Sequence, residues 1–157
     1  MATKVIGLDR LRKKLRRFPD AVEAEISKAM EQSADEIVMM AKSLAPVVSG
    51  DLQMSISWTW GDAPKGSAVL GKVKTSGRGA GNLQITVFAG GGDAYYARMI
   101  EFGTAPHLNG GRFAGSQHPG TAAVPFFYPA YRANRKRAKS RITRAINKAA
   151  KRVAAGG

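Results

Sequence analysis

The sequence of 157 residues contains no cysteine and only two histidines, His107 and His118. The lack of cysteine excludes a disulfide framework and thiol catalysis. The two histidines have few carboxylates near them, whereas a metal site usually needs three or four nitrogen, sulfur or oxygen ligands. The longest apolar runs fall far short of the roughly 20 residues that span a bilayer. We therefore expect no metal site, no cofactor and no membrane contact.

Acidic residues are scarce, because 11 Asp and Glu stand against 25 Lys and Arg and leave a formal net charge of +14. The charge is unevenly distributed: residues 10–17 carry six bases, residues 20–36 carry six acids, and residues 132–152 carry ten bases. This distribution predicts a polyanion or an acidic protein surface as a partner. The acidic segment could also neutralise a basic one, either within one subunit or between neighbouring subunits.

The sequence lacks the residue patterns of common enzyme sites. Asp93 and Glu101 are eight residues apart, whereas a paired-carboxylate hydrolase needs two carboxylates that converge in a cleft. Ser49 precedes Gly50 but lacks the Gly-x-Ser-x-Gly frame of a nucleophile elbow. The glycine-rich residues 77–81 are not followed by Lys-Ser or Lys-Thr, so a phosphate-binding P-loop is not supported. We predict that the chain is not an enzyme, and that Glu101 serves as a helix-end or inter-subunit ion-pair partner.

Hydrophobic periodicity predicts two helices before residue 46. The first is a short basic helix within residues 1–19, ended by Pro19. The second is a long helix over residues 20–45 with Asp20 as its N-cap. Its apolar stripe comprises Val22, Ile26, Met30, Ser33, Ile37, Ala41 and Leu44. This helix should stop near Ala45, because Pro46 disfavours helical geometry in the residue before it.

Alternating apolar and polar residues predict an antiparallel sheet within residues 52–90. Trp58 and Trp60 share one face of the first strand, so a large element must cover that face. The predicted strands are 52–60, 68–74 and 83–89, and a glycine-rich hairpin loop over 75–82 connects the last two.

The rest of the chain is predicted to contain a short helix, a long loop and a basic helix. These segments are 94–103, 104–128 and 129–153, and Pro129 fits the first turn of the last helix. A loop of this length is usually functional or disordered. The elements together predict a single α+β domain over residues 1–157. Its antiparallel three- to four-stranded sheet packs against the long N-terminal helix, and it also has a short central helix and a basic C-terminal helix.

Four short motifs occur in order between residues 45 and 130. The first joins the long helix to the sheet, the second lies in the short helix, the third lies in the long loop and the fourth leads into the last helix. Their residues are Pro46, Gly50 and Leu52; Tyr96, Ala97, Glu101, Phe102, Gly103 and Thr104; His118, Pro119 and Gly120; and Pro125, Phe126, Pro129 and Ala130. This arrangement resembles the small neck family of long-tailed bacteriophages, also called head–tail joining or tail-completion proteins. The tail-completion protein Z of phage lambda is a related case.

The resemblance implies a non-enzymatic structural protein of the virion neck, assembled in the host cytoplasm as part of an oligomeric ring around the DNA channel. The ring is expected to be a hexamer whose partners are adjacent connector, terminator or tail-tube proteins. Residues 104–125 would reach a neighbouring subunit or ring. Two alternatives stay open: a tail terminator ring that caps the tail tube, and a sequence-independent nucleic-acid-binding protein.

The basic C-terminal helix is the predicted contact with packaged DNA or with an acidic partner, because exposed Lys and Arg neutralise phosphates. The sequence has no zinc finger, no RNP aromatic pattern and no clear recognition helix, so a DNA contact should be independent of base sequence. The predicted contact residues are Arg132, Arg135, Lys136, Arg137, Lys139, Arg141, Arg144 and Lys148.

Overall fold

The computed structural model describes residues 8–74, 83–91 and 96–155, without the side chains of 8–21, 73–74 and 153–154. In chain order its elements are α1 (Leu8–Leu44), α2 (Asp51–Ser55), β1 (Ser57–Trp60), β2 (Ala68–Lys74), β3 (Gln84–Ala89), α3 (Ala97–Phe102), β4 (His107–Leu108), β5 (Gln117–His118) and α4 (Phe127–Ala155). This arrangement confirms the predicted α+β class. The predicted hairpin loop over 75–82 lies outside the described residues.

Helix α1 is one continuous element of 37 residues, so the predicted break at Pro19 is wrong. Proline removes one backbone hydrogen bond and costs a helix about 3 kcal/mol. Ending the helix there would instead leave two further helix ends with unpaired backbone groups and would require a second costly nucleus. The predicted apolar stripe from Val22 to Ala41 is buried, whereas Leu44 at the end of the helix is exposed.

Residues 51–55 form helix α2 and not the start of a strand, which corrects the predicted strand over 52–60. Gly50 adopts φ +90°, the left-handed region that favours glycine, and its carbonyl accepts a hydrogen bond from the Met54 N–H at 3.0 Å. Leu52 and Ile56 are both buried. Their spacing of four residues fits the helical period as well as strand alternation, so this short run was ambiguous in sequence.

The main sheet has three antiparallel strands in the order β1-β3-β2. A bulge interrupts the register between Val69 and Gly71 in β2. A Cβ added at Gly71 would lie only 3.1 Å from the Phe127 ring, so the small residue gives that ring room to pack on the strand. Phe126 and Phe127 are almost completely buried, so the start of α4 contributes two aromatic rings to the core.

Helix α1 covers the tryptophan face of β1, which confirms the predicted need for a large covering element. The indole N–H of Trp58 donates to Asp35 Oδ1 at 2.7 Å, and that of Trp60 donates to Glu31 Oε1 at 3.2 Å. The two rings meet edge to face, with centroids 6.2 Å apart. The sheet is therefore fixed to the acidic stretch of α1 by both apolar and polar contacts.

The segment predicted as a loop over 104–128 contains the two-stranded hairpin β4–β5 and a single 3-10 turn at Gly111–Phe113. Helix α4 begins at Phe127, two residues earlier than predicted, and Pro129 lies in its first turn as expected. Hairpin strands of two residues are too short to leave a clear alternation in the sequence, which is why they were missed.

Candidate assembly surfaces

Glu101 is a buried cap for the start of α4, with a relative exposure of 3%. Its Oε2 accepts hydrogen bonds from the N–H groups of Phe126 at 2.8 Å and Phe127 at 2.9 Å, and its Oε1 accepts one from Tyr128 at 2.9 Å. The next residue, Pro129, has no N–H, so every donor at this helix end is satisfied. Of the two roles predicted for Glu101, the structure shows the helix-end role, and the negative charge also suits a helix N-terminus.

Two glycines of the motifs allow the backbone to cross itself at the base of the hairpin. Thr104 and Thr121 exchange two N–H···O=C bonds of 3.0 Å each. Gly103 has φ +71°, and a Cβ there would lie 2.6 Å from the Thr121 carbonyl oxygen. Gly120 has φ +86°, and its Cβ would overlap the Thr104 carbonyl oxygen. Only glycine satisfies both the backbone angle and the close approach at these two positions.

The two histidines stack on each other across the β4–β5 hairpin, with ring centroids 4.9 Å apart. His118 Nδ1 accepts the Gly120 N–H at 3.0 Å, and His107 Nδ1 lies 2.9 Å from the Ala105 carbonyl oxygen. These contacts give both rings a structural role in the hairpin. Within the described residues, no group of three or more His, Cys, Asp or Glu is placed to hold a metal ion.

The hairpin presents a polar frame with two exposed apolar side chains. Asn109 and Ser116 join its ends through backbone and side-chain hydrogen bonds of 2.9 Å. Leu108 and Phe113 are 67% and 68% exposed. Sequence reasoning missed both residues as surface features. The signal that could have identified them is a large apolar residue inside a glycine-rich segment without periodicity.

The first motif packs beside the helix that carries the second. Pro46, Gly50 and Leu52 share a shallow pocket with Tyr96 and Ile100. Five motif residues are buried in packing or capping positions: Leu52, Ala97, Glu101, Phe126 and Ala130. Four motif residues remain exposed: Phe102, Pro119, Pro125 and Pro129. Most of the motif residues therefore build the scaffold that holds α3, the hairpin and the start of α4 together.

Helices α1 and α4 are antiparallel and joined by a charged seam. Glu36 pairs with Arg137 at 2.9 Å and Arg141 at 2.5 Å. Near the other end of the seam, Glu25 pairs with Arg152 at 2.5 Å and with Lys148 at 3.9 Å. The acidic segment thus neutralises part of the basic helix within one subunit. Three of the predicted contact residues, Arg137, Arg141 and Lys148, are engaged in this way.

The charge of Glu36 is stabilised by its arginine partners. The hydrogen bond from Arg141 is the largest influence and lowers the pKa of Glu36, burial opposes it, and the positive charges of Arg141 and Arg137 lower it further. Arg141 also donates to the Ser33 hydroxyl at 2.9 Å. Its guanidinium is therefore held by two neighbouring turns of α1, which makes Arg141 the best-anchored base of the seam.

The other five predicted contact residues are exposed: Arg132, Arg135, Lys136, Lys139 and Arg144. None of them forms an ion pair with an acid in the part of the chain that the structure describes. The Arg132 guanidinium lies 6.0 Å from the centroid of the Tyr128 ring, and Arg144 Nε donates to the Ser140 carbonyl at 3.3 Å. This outer face of α4 combines high positive charge with free access for a partner.

Exposed apolar side chains also mark the corner where α1 ends and the neighbourhood of α3. Val47 and Val48 follow the end of α1, and Val48 is 98% exposed. Phe102 is 57% exposed, and its ring lies 5.8 Å from that of Tyr128. Contiguous exposed apolar groups often mark protein–protein contacts.

Comparison with protein families places this scaffold in a known group. The model of the HK97-gp10-like family, described as a bacteriophage tail component, matches residues 9–103. The chain belongs to this family. The match covers α1, α2, the main sheet and α3, and it ends at Gly103, so the hairpin and α4 lie outside it. Neither a curated protein nor a solved structure matches the chain.

Family membership supports the coarser part of the prediction, a structural component of a bacteriophage tail, whereas the neck position and the ring stay predictions. The relation to the lambda tail-completion protein Z stays a prediction. Among the described helices, none is both long and apolar enough to cross a membrane.

Proposed function

We propose that this HK97-gp10-like protein is a non-enzymatic structural component of the phage neck, where several copies form a ring around the DNA channel at the junction of head and tail. The observation that carries this proposal is the family match, which spans the scaffold from α1 to α3. The capping role of Glu101 argues against this carboxylate as a catalytic group, because three backbone donors occupy it.

The hairpin supports self-assembly. It is fixed at its base by the Thr104–Thr121 bridge and presents Leu108 and Phe113 to solvent. A rigid arm of this kind fits a heterologous contact, in which one surface meets a different surface on the next copy and repeated contacts close into a ring. A hexamer is the expected closed form.

The outer face of α4 supports contact with an anionic neighbour. Its unpaired bases would face packaged DNA, without reading its sequence, or an acidic surface of an adjacent connector, terminator or tail-tube protein. In a ring, the copies would repeat this face around the channel. The proposed location is therefore the neck of the virion.

The experiment is removal of the gene from the phage that encodes it, with the particles examined by electron microscopy. A neck role predicts full heads and tails of normal length that fail to join. Restoration by the wild-type gene supplied in trans, together with detection of the protein in purified virions, is the control. Normal, infectious particles without the protein would contradict the proposal.

A tail terminator is the second candidate, because the family is described as a tail component. A terminator ring stops growth of the tail tube, so its removal should produce tails of excessive and variable length. The same micrographs thus distinguish the two roles. A free nucleic-acid-binding protein would instead be absent from purified virions.

A further inference from the structure

An open apolar groove lies between α1, β3 and α4, with a volume of about 270 Å³. Its apolar lining includes Met30, Ile37, Val87, Tyr131, Ala138 and Ile142. An apolar cavity of about 150 Å³ already holds a benzene-sized ring, so this groove has room for one or two large apolar side chains.

The mouth of the groove is basic. Arg135 and Lys139 line it, both are exposed, and neither forms an ion pair with a described acid. A second surface depression shares Lys139 and Thr143 with the groove and adds Lys136 and Arg144. An occupant should therefore offer apolar side chains to the floor of the groove and negative charge to its rim.

Residues 1–7 and 75–82 of this chain do not suit this groove. Residues 1–7 reach at most about 25 Å when fully extended. The nearest lining residue of α1, Met30, lies about 33 Å along the helix from Leu8 at 1.5 Å per residue. Residues 75–82 contain no large apolar side chain and include a further base, Arg78.

A second copy of this chain carries a formal net charge of +14, so its surface is on balance repelled by the basic rim. Four of its 11 acids are already held by bases or by backbone N–H groups of the same chain: Glu25, Glu36, Asp62 and Glu101. Nucleic acid could neutralise the rim, but its phosphates and sugars would leave the apolar floor of the groove unfilled. The groove thus fits a different protein better than either of these occupants.

We propose that this groove binds an acidic amphipathic helix of another protein. The apolar side chains of that helix, spaced at i, i+3 or i+4 and i+7, enter between Val87 and Ile142, and its carboxylates pair with Arg135 and Lys139. The groove then acts as a docking site for one neighbour, separate from the hairpin arm. The proposal goes beyond the proposed function and concerns binding by the isolated full-length chain.

The test uses a fluorescent synthetic helix of about 18 residues, with Leu at the i, i+3 or i+4, i+7 positions and Glu at most others. Binding to the full-length protein is measured by fluorescence anisotropy. A peptide of the same composition in scrambled order and a DNA duplex of similar charge serve as comparison probes. The groove predicts that the amphipathic peptide binds at least about tenfold more tightly than the scrambled one.

Two kinds of variant locate the binding. Ala138→Trp fills the groove, and Arg135→Glu/Lys139→Glu reverses its rim; each should weaken peptide binding about tenfold or more. Arg98→Glu/Lys151→Glu makes the same change in net charge at exposed positions away from the groove and should leave the apolar selectivity intact. Thermal unfolding of each variant checks the fold, and the rim variant alters only exposed side chains, so it remains informative if Ala138→Trp does not fold.

Three results would overturn the proposal. The first is equal binding of the ordered and scrambled peptides, which would mean that only charge is recognised. The second is DNA binding that displaces the peptide and is weakened by the rim variant but not by Ala138→Trp in its folded form. The third is a self-associated wild-type protein that becomes monomeric when the rim is reversed, which would identify a second copy as the occupant.

Discussion

The two sides of α4 carry the same kind of residue but have different neighbours. On the inner side, Arg137, Arg141 and Lys148 pair with acids of α1, and Glu101 caps the start of the helix. On the outer side, five bases have no acidic partner in the described chain. Net charge alone therefore does not identify a partner surface. The position of each base on the helix separates those that hold the fold from those available to a neighbour.

The largest expected effect comes from Glu101→Ala, which removes the acceptors of three buried or half-buried N–H groups at the start of α4. Because each unsatisfied buried donor costs about 1–3 kcal/mol, we expect the free energy of unfolding to fall by about 3 kcal/mol or more. Urea denaturation measures the change. Glu23→Ala, an acid in α1 that is only half-buried, is the control and should cost less than about 1 kcal/mol. Equal losses for the two variants would contradict the capping role.

Gly120→Ala and Gly115→Ala make the same kind of comparison within the hairpin, because Gly120 is enclosed by other backbone atoms and Gly115 is open to solvent. The new Cβ would overlap the Thr104 carbonyl oxygen at a φ of +86°, so we expect a loss of about 2–3 kcal/mol in the free energy of unfolding. Gly115→Ala is a matched control, because Gly115 has the same φ of +86° but nothing within 4 Å of its Cβ. It should show only the backbone strain of about 1 kcal/mol. If both variants unfold at the same urea concentration, the close backbone crossing is not important for stability.

Arg141→Ala and Arg144→Ala compare the inner and outer sides directly, with the same chemical change three residues apart. Arg141 is only 17% exposed and holds both Glu36 and Ser33, so its loss should cost about 1–2 kcal/mol. Arg144 is exposed, and its loss should change the free energy of unfolding by less than about 0.5 kcal/mol. Thermal or urea unfolding of the two variants gives both values. A larger loss in the free energy of unfolding for Arg144→Ala than for Arg141→Ala would contradict the placement of Arg141 on the inner side and Arg144 on the outer side.

A smaller loss of stability is expected when the pH is lowered and Glu36 becomes protonated. The pKa of Glu36 is lower in the folded protein than its ordinary value of 4.5, so the folded state holds fewer protons there than the unfolded state. The contribution of ionised Glu36 to the free energy of unfolding is fully present above about pH 4.5 and is lost as the pH falls through the lowered pKa. Glu36→Gln should therefore flatten the decline in stability below pH 4.5, measured as the thermal midpoint against pH. Asp62→Asn, in an exposed ion pair, should leave the decline unchanged.

The sequence predicted the features that depend on local pattern. The buried stripe of α1 follows the helical period, β2 matches its predicted bounds, and the end of α1 before Pro46 follows from proline geometry. The cover over Trp58 was also expected from the local pattern.

The remaining features depend on contacts between distant residues or on competing local preferences. The partners of Glu101 lie 25 to 27 residues away, and the glycine crossing depends on two segments that meet only in the folded chain. The predicted helix break at Pro19 and the predicted strand over residues 52–60 were both wrong. A single proline or a short alternation of apolar residues is a weak signal when packing favours a helix. To predict which bases of α4 are paired and which are not, one must know which residues of α1 lie opposite which residues of α4. No pattern in a single sequence provides that register.

The most direct test of the account is the mass of the purified full-length protein in solution, measured by native mass spectrometry over a range of concentrations. The account predicts a closed oligomer of fixed copy number, expected to be six. We also expect Leu108→Ser/Phe113→Ser to shift the protein to a folded monomer, because both side chains are exposed and add little to the core of the subunit. A protein that stays monomeric at every concentration, or an oligomer unaffected by the hairpin variant, would contradict assembly through this arm.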